Sequence, residues 1–142
     1  MRYLKSFNES ITNEEILEIK NFCEEHLIDL MDEGFYVKVY NAYNYLPLHY
    51  KLVYNNARND INEYLIVLSG KEFRWVDYKD RIIPFLEITG TEYNIKHNKI
   101  AFVTSNRLKI QRKEYLLDSL LESDILDESK LVRLELRVAV KK

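Results

Sequence analysis

The apolar residues of this chain change their period at Gly34. Upstream, Ile16, Ile19, Cys23, Leu27 and Leu30 step by three or four, which lines one face of a helix. Downstream, Phe35, Val37 and Val39 alternate with Tyr36, Lys38 and Tyr40, which is the period of a half-buried strand. Two such segments in direct succession require a helix packed onto a sheet. Gly34 supplies the stop between them, because a glycine after the last turn adopts the left-handed conformation without steric cost.

The start of that helix is marked by Thr12 and Glu15, a capping-box spacing, with Ile11 and Ile16 as the staple pair. The spacing predicts a helix over residues 13–33, with residues 1–11 an extended N-terminal segment. Cys23 falls on the apolar stripe, so it reads as a buried small hydrophobe. Beyond the first strand, Asn41 to Pro47 is turn-like, and Leu48, Tyr50, Leu52 and Tyr54 alternate as a second strand. Asn55, Asn56 and Asn59 mark a turn before a third strand over residues 61–68, closed by Ser69 and Gly70. Short links between the three predict an antiparallel meander. Residues 73–88 read as a helix that Pro84 kinks or breaks and Gly90 ends. Residues 91–95 and 99–104 read as two short strands joined across Lys96, His97 and Asn98. Residues 111–123 read as a third helix with Tyr115, Leu116 and Leu120 inward. Last, Val132, Leu134, Leu136, Val138 and Val140 alternate with Arg133, Glu135, Arg137 and Ala139 as a strand with one solvated face. The order α-β-β-β-α-β-β-α-β predicts a single α+β domain with a mainly antiparallel sheet.

Composition narrows the function classes. With 142 residues and 46% apolar content, the chain buries a real core and is not a disordered segment. No run approaches the roughly 18 apolar residues of a membrane span, and MRYLKSFNES lacks the apolar stretch of a secretory leader. One cysteine excludes an internal disulfide and a cysteine zinc cage. The three glycines, Gly34, Gly70 and Gly90, form no phosphate-cradling loop. His26, His49 and His97 fall on separate elements, so no metal set and no cofactor is indicated. Charge is uneven: residues 1–34 hold three basic and nine acidic side chains, whereas residues 95–142 hold eleven and seven. Asp29, Asp32 and Glu33 gather at the end of the first helix, which reads as solvated surface or, alternatively, as an acidic patch facing a basic partner or the chain's own basic half.

Three patterns bear on chemistry. The spacing acid-x-Lys, which a two-acid metal-dependent nuclease needs, occurs at Glu18-Ile19-Lys20, Asp77-Tyr78-Lys79 and Glu128-Ser129-Lys130. Chance supplies that many hits in a chain with 31% charged residues. Residues 98–105 share Ala101, Phe102 and Val103 with the aromatic octamer of RNA-recognition motifs, but lack its leading base, its glycine and its other aromatics. Most distinctive is a crowd of tyrosines. Tyr36, Tyr40, Tyr43, Tyr45, Tyr50 and Tyr54 fall in one stretch with Lys38 and Lys51. Exposed tyrosines stack bases or anchor protein interfaces. A/T-rich codon usage accounts for much of their number, since Asn, Ile, Lys and Tyr make up 49 of 142 residues. A second candidate patch is basic: Lys96, Lys99, Arg107, Lys109, Arg112 and Lys113. A concave site ringed by these residues favours an anionic small molecule or nucleic acid; the base-stacking and protein-patch readings both need the tyrosines to be exposed.

Several segments resemble small uncharacterised proteins of large tailed bacteriophages. They are Tyr3-Leu4-Lys5-Ser6-Phe7-Asn8-Glu9, Asp32-Glu33-Gly34-Phe35, Phe73-Arg74-Trp75, Asp77-Tyr78-Lys79-Asp80 and Ile82-Ile83-Pro84-Phe85-Leu86. The resemblance implies a phage accessory protein, in the host cytoplasm or the virion, and brings no catalytic residues. The expectation is a non-catalytic protein-binding module that meets a partner or itself. The alternatives are single-stranded nucleic-acid binding through a tyrosine-rich sheet face and, behind it, the nuclease.

Overall fold

The computed structural model describes residues 2–42, 63–106, 109–122 and 129–140. Their elements, in chain order, are α1 (Arg2–His26), α2 (Ile28–Met31), β1 (Tyr36–Asn41), β2 (Glu63–Arg74), α3 (Trp75–Glu92), β3 (Tyr93–Asn106), β4 (Lys109–Leu116), α4 (Leu117–Glu122) and β5 (Lys130–Val140). The strands form one antiparallel five-stranded sheet in the order β1-β2-β5-β3-β4. The fold is α+β. Helices α1 and α3 pack on one face of the sheet, α1 against β1 and α3 against β2 and β3. Ile19, Cys23, Leu27 and Leu30 meet Val37, Ile66 and Leu68 there, and Ile82, Phe85 and Leu86 complete the same core with Phe102, Leu134 and Leu136. Each fully buried aliphatic side chain contributes about 1.5–3 kcal/mol.

The period change at Gly34 survives intact. Gly34 has φ +103°, and the amide of Phe35 closes back on Leu30 O at 3.2 Å. Phe35, Val37 and Val39 are buried, while Tyr36 and Lys38 are exposed. Cys23 is fully buried, and burial, with the nearby Glu24 carboxylate, pushes its thiol up to about 12. The acidic patch is partly spent inside the fold, since Glu33 accepts hydrogen bonds from Arg81 and, at 3.5 Å, from Tyr78. The Arg81 bond holds the Glu33 carboxyl below the ordinary range.

Elsewhere the structure corrects the local reading. Residues 2–11, expected to be extended, are the first turns of α1, so Thr12 lies inside the helix and does not cap it. No proline or glycine interrupts the segment, so the helix can start well before the spacing that marks its apolar face. β2 runs through Ser69 and Gly70 to Arg74, with an irregularity between Ser69 and Phe73. The helix after it passes Pro84 and Gly90 without ending. Pro84 and Asp80 are both exposed, so water reaches the carbonyl that the missing N–H leaves unpaired. The two short strands are one strand, β3, with a bulge at residues 96–99 where His97 and Asn98 have φ +57° and +54°. Residues 111–116, expected to be helical, pair with β3 as β4, and only Leu117–Glu122 forms a helix. Leu116, expected inward, is exposed. β5, the last strand in the chain, is the central strand of the sheet. The expected strand over residues 48–54 and its flanking turns lie outside the described residues.

Gly70 has φ +125°, and a methyl group there would collide with Gly34 O and meet Phe35 Cα at 3.1 Å. Gly70→Ala is therefore expected to cost about 2–4 kcal/mol in urea unfolding. At Gly90 the nearest atom is Ile95 Cδ1 at an ordinary 3.6 Å. Gly90→Ala is expected to stabilise by about 0.4–1 kcal/mol in the same assay.

The buried Tyr64 donates its hydroxyl proton to Glu15 of α1, which ties β2 to the helix layer. Burial, followed by the hydrogen bond and charge of Glu15, raises the Tyr64 phenol above its usual value. The unfolded chain then loses this proton first, so the contribution is complete below pH about 10 and fades above it. Comparing unfolding free energies of the natural chain and Tyr64→Phe should show a difference of about 1 kcal/mol at neutral pH that shrinks in alkali.

Candidate ligand-binding face of the sheet

Among the described residues, no helix packs on the second face of the sheet, and strand register sets what appears there. One row across the sheet reads Tyr36, Ser69, Arg133, Val103, Arg112. The next reads Lys38, Val67, Glu135, Ala101, Glu114. A third reads Tyr40, Leu65, Arg137 and then meets the bulge at residues 96–99. Antiparallel partners point the same way, so these side chains share one surface. The bulge sets a five-residue step of β3, from Ile95 to Ile100, against a two-residue step from Val138 to Leu136, and lifts Lys96 and His97 into a rim.

The result is an open trough of about 730 Å³. Leu65, Val67 and Ala101 lie in its floor, Tyr40 borders one end, and Lys96, Lys99 and Arg112 border the other. A shallower depression of about 450 Å³ adjoins it, bounded by Tyr36, Lys38 and Arg133. Five Lys and Arg side chains line the trough against two carboxylates, so its field is positive.

Glu135 organises the arginines. Its side chain is only 11% exposed, and it accepts from Arg112 Nε at 3.1 Å and Arg133 Nε at 2.6 Å. Arg112 also donates to Glu114 at 2.8 Å, and this bond lowers the Glu114 carboxyl below its ordinary range. Lys96 pairs with Glu63 at 3.3 Å. Lys99 and Arg137 make no ion pair with another described residue and act on the Glu114 carboxyl only at longer range.

The structure thus brings Tyr36, Lys38 and Tyr40 onto one face with Lys96, Lys99 and Arg112. It separates Lys113 from them: that residue opposes Phe102 on the helix side, with its Nζ 5.5 Å from the Tyr115 ring centroid. Lys109 shares the parity of Lys113. Tyr43, Tyr45, Tyr50, Tyr54 and Arg107 lie outside the described residues. Arg133, Glu135 and Arg137 were read as the solvated side of a strand and not as a site. Their alternation with Leu134 and Leu136 was the available signal, but their central position was not visible in it. Phe102 is 1% exposed and packs edge-on against Trp75, so the octamer-like segment has no free aromatic there. The acid-x-Lys triplets at Glu18 and Asp77 sit in α1 and α3, and Glu128 lies outside the described residues. Among the described residues, no three His, Cys, Asp or Glu side chains converge to hold a metal ion. No helix among them is long and apolar enough to cross a membrane. No family model, curated protein or solved structure matches the chain.

Glu135→Gln keeps the shape but removes the charge that both arginines share. Urea unfolding is expected to show a loss of about 1–2 kcal/mol, below that of a fully buried pair because the arginines remain half in water.

Proposed function

We propose that the open face of the sheet binds single-stranded nucleic acid. The observation that supports it is the register-determined trough, in which tyrosines of β1 share one surface with cations of β5 and β3. Bases stack on Tyr36 and Tyr40, each contact worth about 1–3 kcal/mol. Lys38, Lys99 and Arg137 follow the phosphates. The trough is open along the sheet, which suits an extended polymer better than an enclosed small anion.

The net charge of −2 is not an obstacle to this reading. The exposed acids Glu14, Glu18 and Glu25 belong to α1, which covers the opposite face. The sheet thus separates an acidic helix layer from a basic strand face. A basic, concave rim is also what moves the reading away from a protein target for this surface. The likeness to tailed-phage proteins is compatible with an accessory role in the infected cell or in the particle.

Fluorescence anisotropy with a labelled oligothymidylate tests the proposal. Three phosphate contacts correspond to a log–log salt slope of about −2. Tyr36→Ala and Arg137→Glu are each expected to weaken binding about tenfold. Glu135→Gln is expected to tighten it, because two arginines lose the carboxylate charge that partly neutralises them. Absence of binding at about 50 mM salt, where phosphate contacts are strongest, would overturn the proposal.

A further inference from the structure

β4 stands at the outer end of the strand order among the described residues. Apart from a half-buried Tyr115, its residues are exposed. Two are large and apolar: Ile110 is 71% exposed and Leu116 is 48% exposed. Ile110 opposes Ser105 and Leu116 opposes Lys99, which places both on the open face with Arg112 and Glu114 between them. A long edge of this kind is a template for a further strand.

We infer that two copies of this chain join through β4, antiparallel, about a two-fold axis passing beside Lys113. In this register Ile110 opposes the partner's Leu116, and Arg112 opposes the partner's Glu114. Symmetry repeats each pair, so the strand is complementary to itself in both apolarity and charge. Neighbouring registers that keep the two open faces on one side are worse. Centring on Arg112 sets the two guanidinium groups opposite each other, and centring on Glu114 does the same with carboxylates. The Lys113 pair at the axis is the one opposed contact. It lies on the other face, where each ammonium has its own Tyr115 ring within 5.5 Å. Opposed residues of an antiparallel pair point the same way, so both troughs face one side of a continuous sheet. The interface follows from β4 alone and holds whether or not the trough binds nucleic acid.

Sedimentation equilibrium of the full chain across a wide concentration range is the first test, and a monomer–dimer equilibrium is expected. Cysteine pairs then read the register. Directly opposed strand residues have Cα atoms about 4.5–5.5 Å apart, within disulfide reach. The double variant Ile110→Cys, Leu116→Cys should therefore oxidise to a covalent dimer, and so should Lys113→Cys. Ile110→Cys alone should not, because its twin lies about 20 Å away along the strand. The natural Cys23 is buried and does not compete. Ile110→Lys is expected to raise the dimer dissociation constant about tenfold or more, with an unchanged circular dichroism spectrum because the side chain faces solvent. A natural chain that stays monomeric at every concentration overturns the inference. So does a dimer that Ile110→Lys leaves intact, since its interface must then lie elsewhere.

Discussion

The structure depends on the pairing of β5 with β2 on one side and β3 on the other. Chain order puts this strand last, yet it occupies the middle of the sheet. One face of it, Leu134, Leu136 and Val138, fills the core beneath both helices. Its other face, Arg133, Glu135 and Arg137, supplies the charged centre of the trough. A one-residue slip would exchange the two sets, placing arginines under the helices and leucines in water. Burying unpaired guanidinium groups is so unfavourable that the register is strongly specified. Core and site are therefore two consequences of one strand registration.

Two irregularities shape what that registration builds. At one end, Gly34 and Gly70 lie against each other with positive φ, which lets the turn after α2 approach the bend in β2. Phe35, Phe73 and Tyr78 then meet in edge-to-face contacts with centroids 5.1–5.6 Å apart. At the other end, the bulge at residues 96–99 interrupts the β3–β5 ladder and raises a cationic rim. Without it, the open face would be a plain twisted surface. The bend closes the core, and the bulge opens the site.

How far a segment was legible followed from how much of its conformation is local. The helix–Gly34–strand succession was readable because burial there obeys a clear period on each side of one glycine. Residues 111–116 were misread because Gln, Arg, Lys, Glu and Leu favour helix, whereas pairing with β3 depends on residues far away in the sequence. A break at Pro84 does not occur, because solvent exposure at Asp80 satisfies what the proline leaves open. Of the tyrosine and lysine cluster, Tyr36, Lys38 and Tyr40 border the trough and its neighbouring depression, and of the basic patch Lys96, Lys99 and Arg112 do so. Lys113 left that patch because alternate strand residues point to opposite faces.

The sequence by itself determined the α+β class, the buried faces of β1 and β5 and the separation of an acidic beginning from a basic end. These follow from periodicity and composition, which are properties of neighbouring residues. Only the tertiary structure decided that β5 is central, that β4 is an edge among the described residues, and that Tyr36, Arg137 and Lys99 look out from one surface. Those outcomes depend on which strands pair and in what register. Pairing is set by how the whole apolar surface can be buried at once, a global condition that no single segment carries.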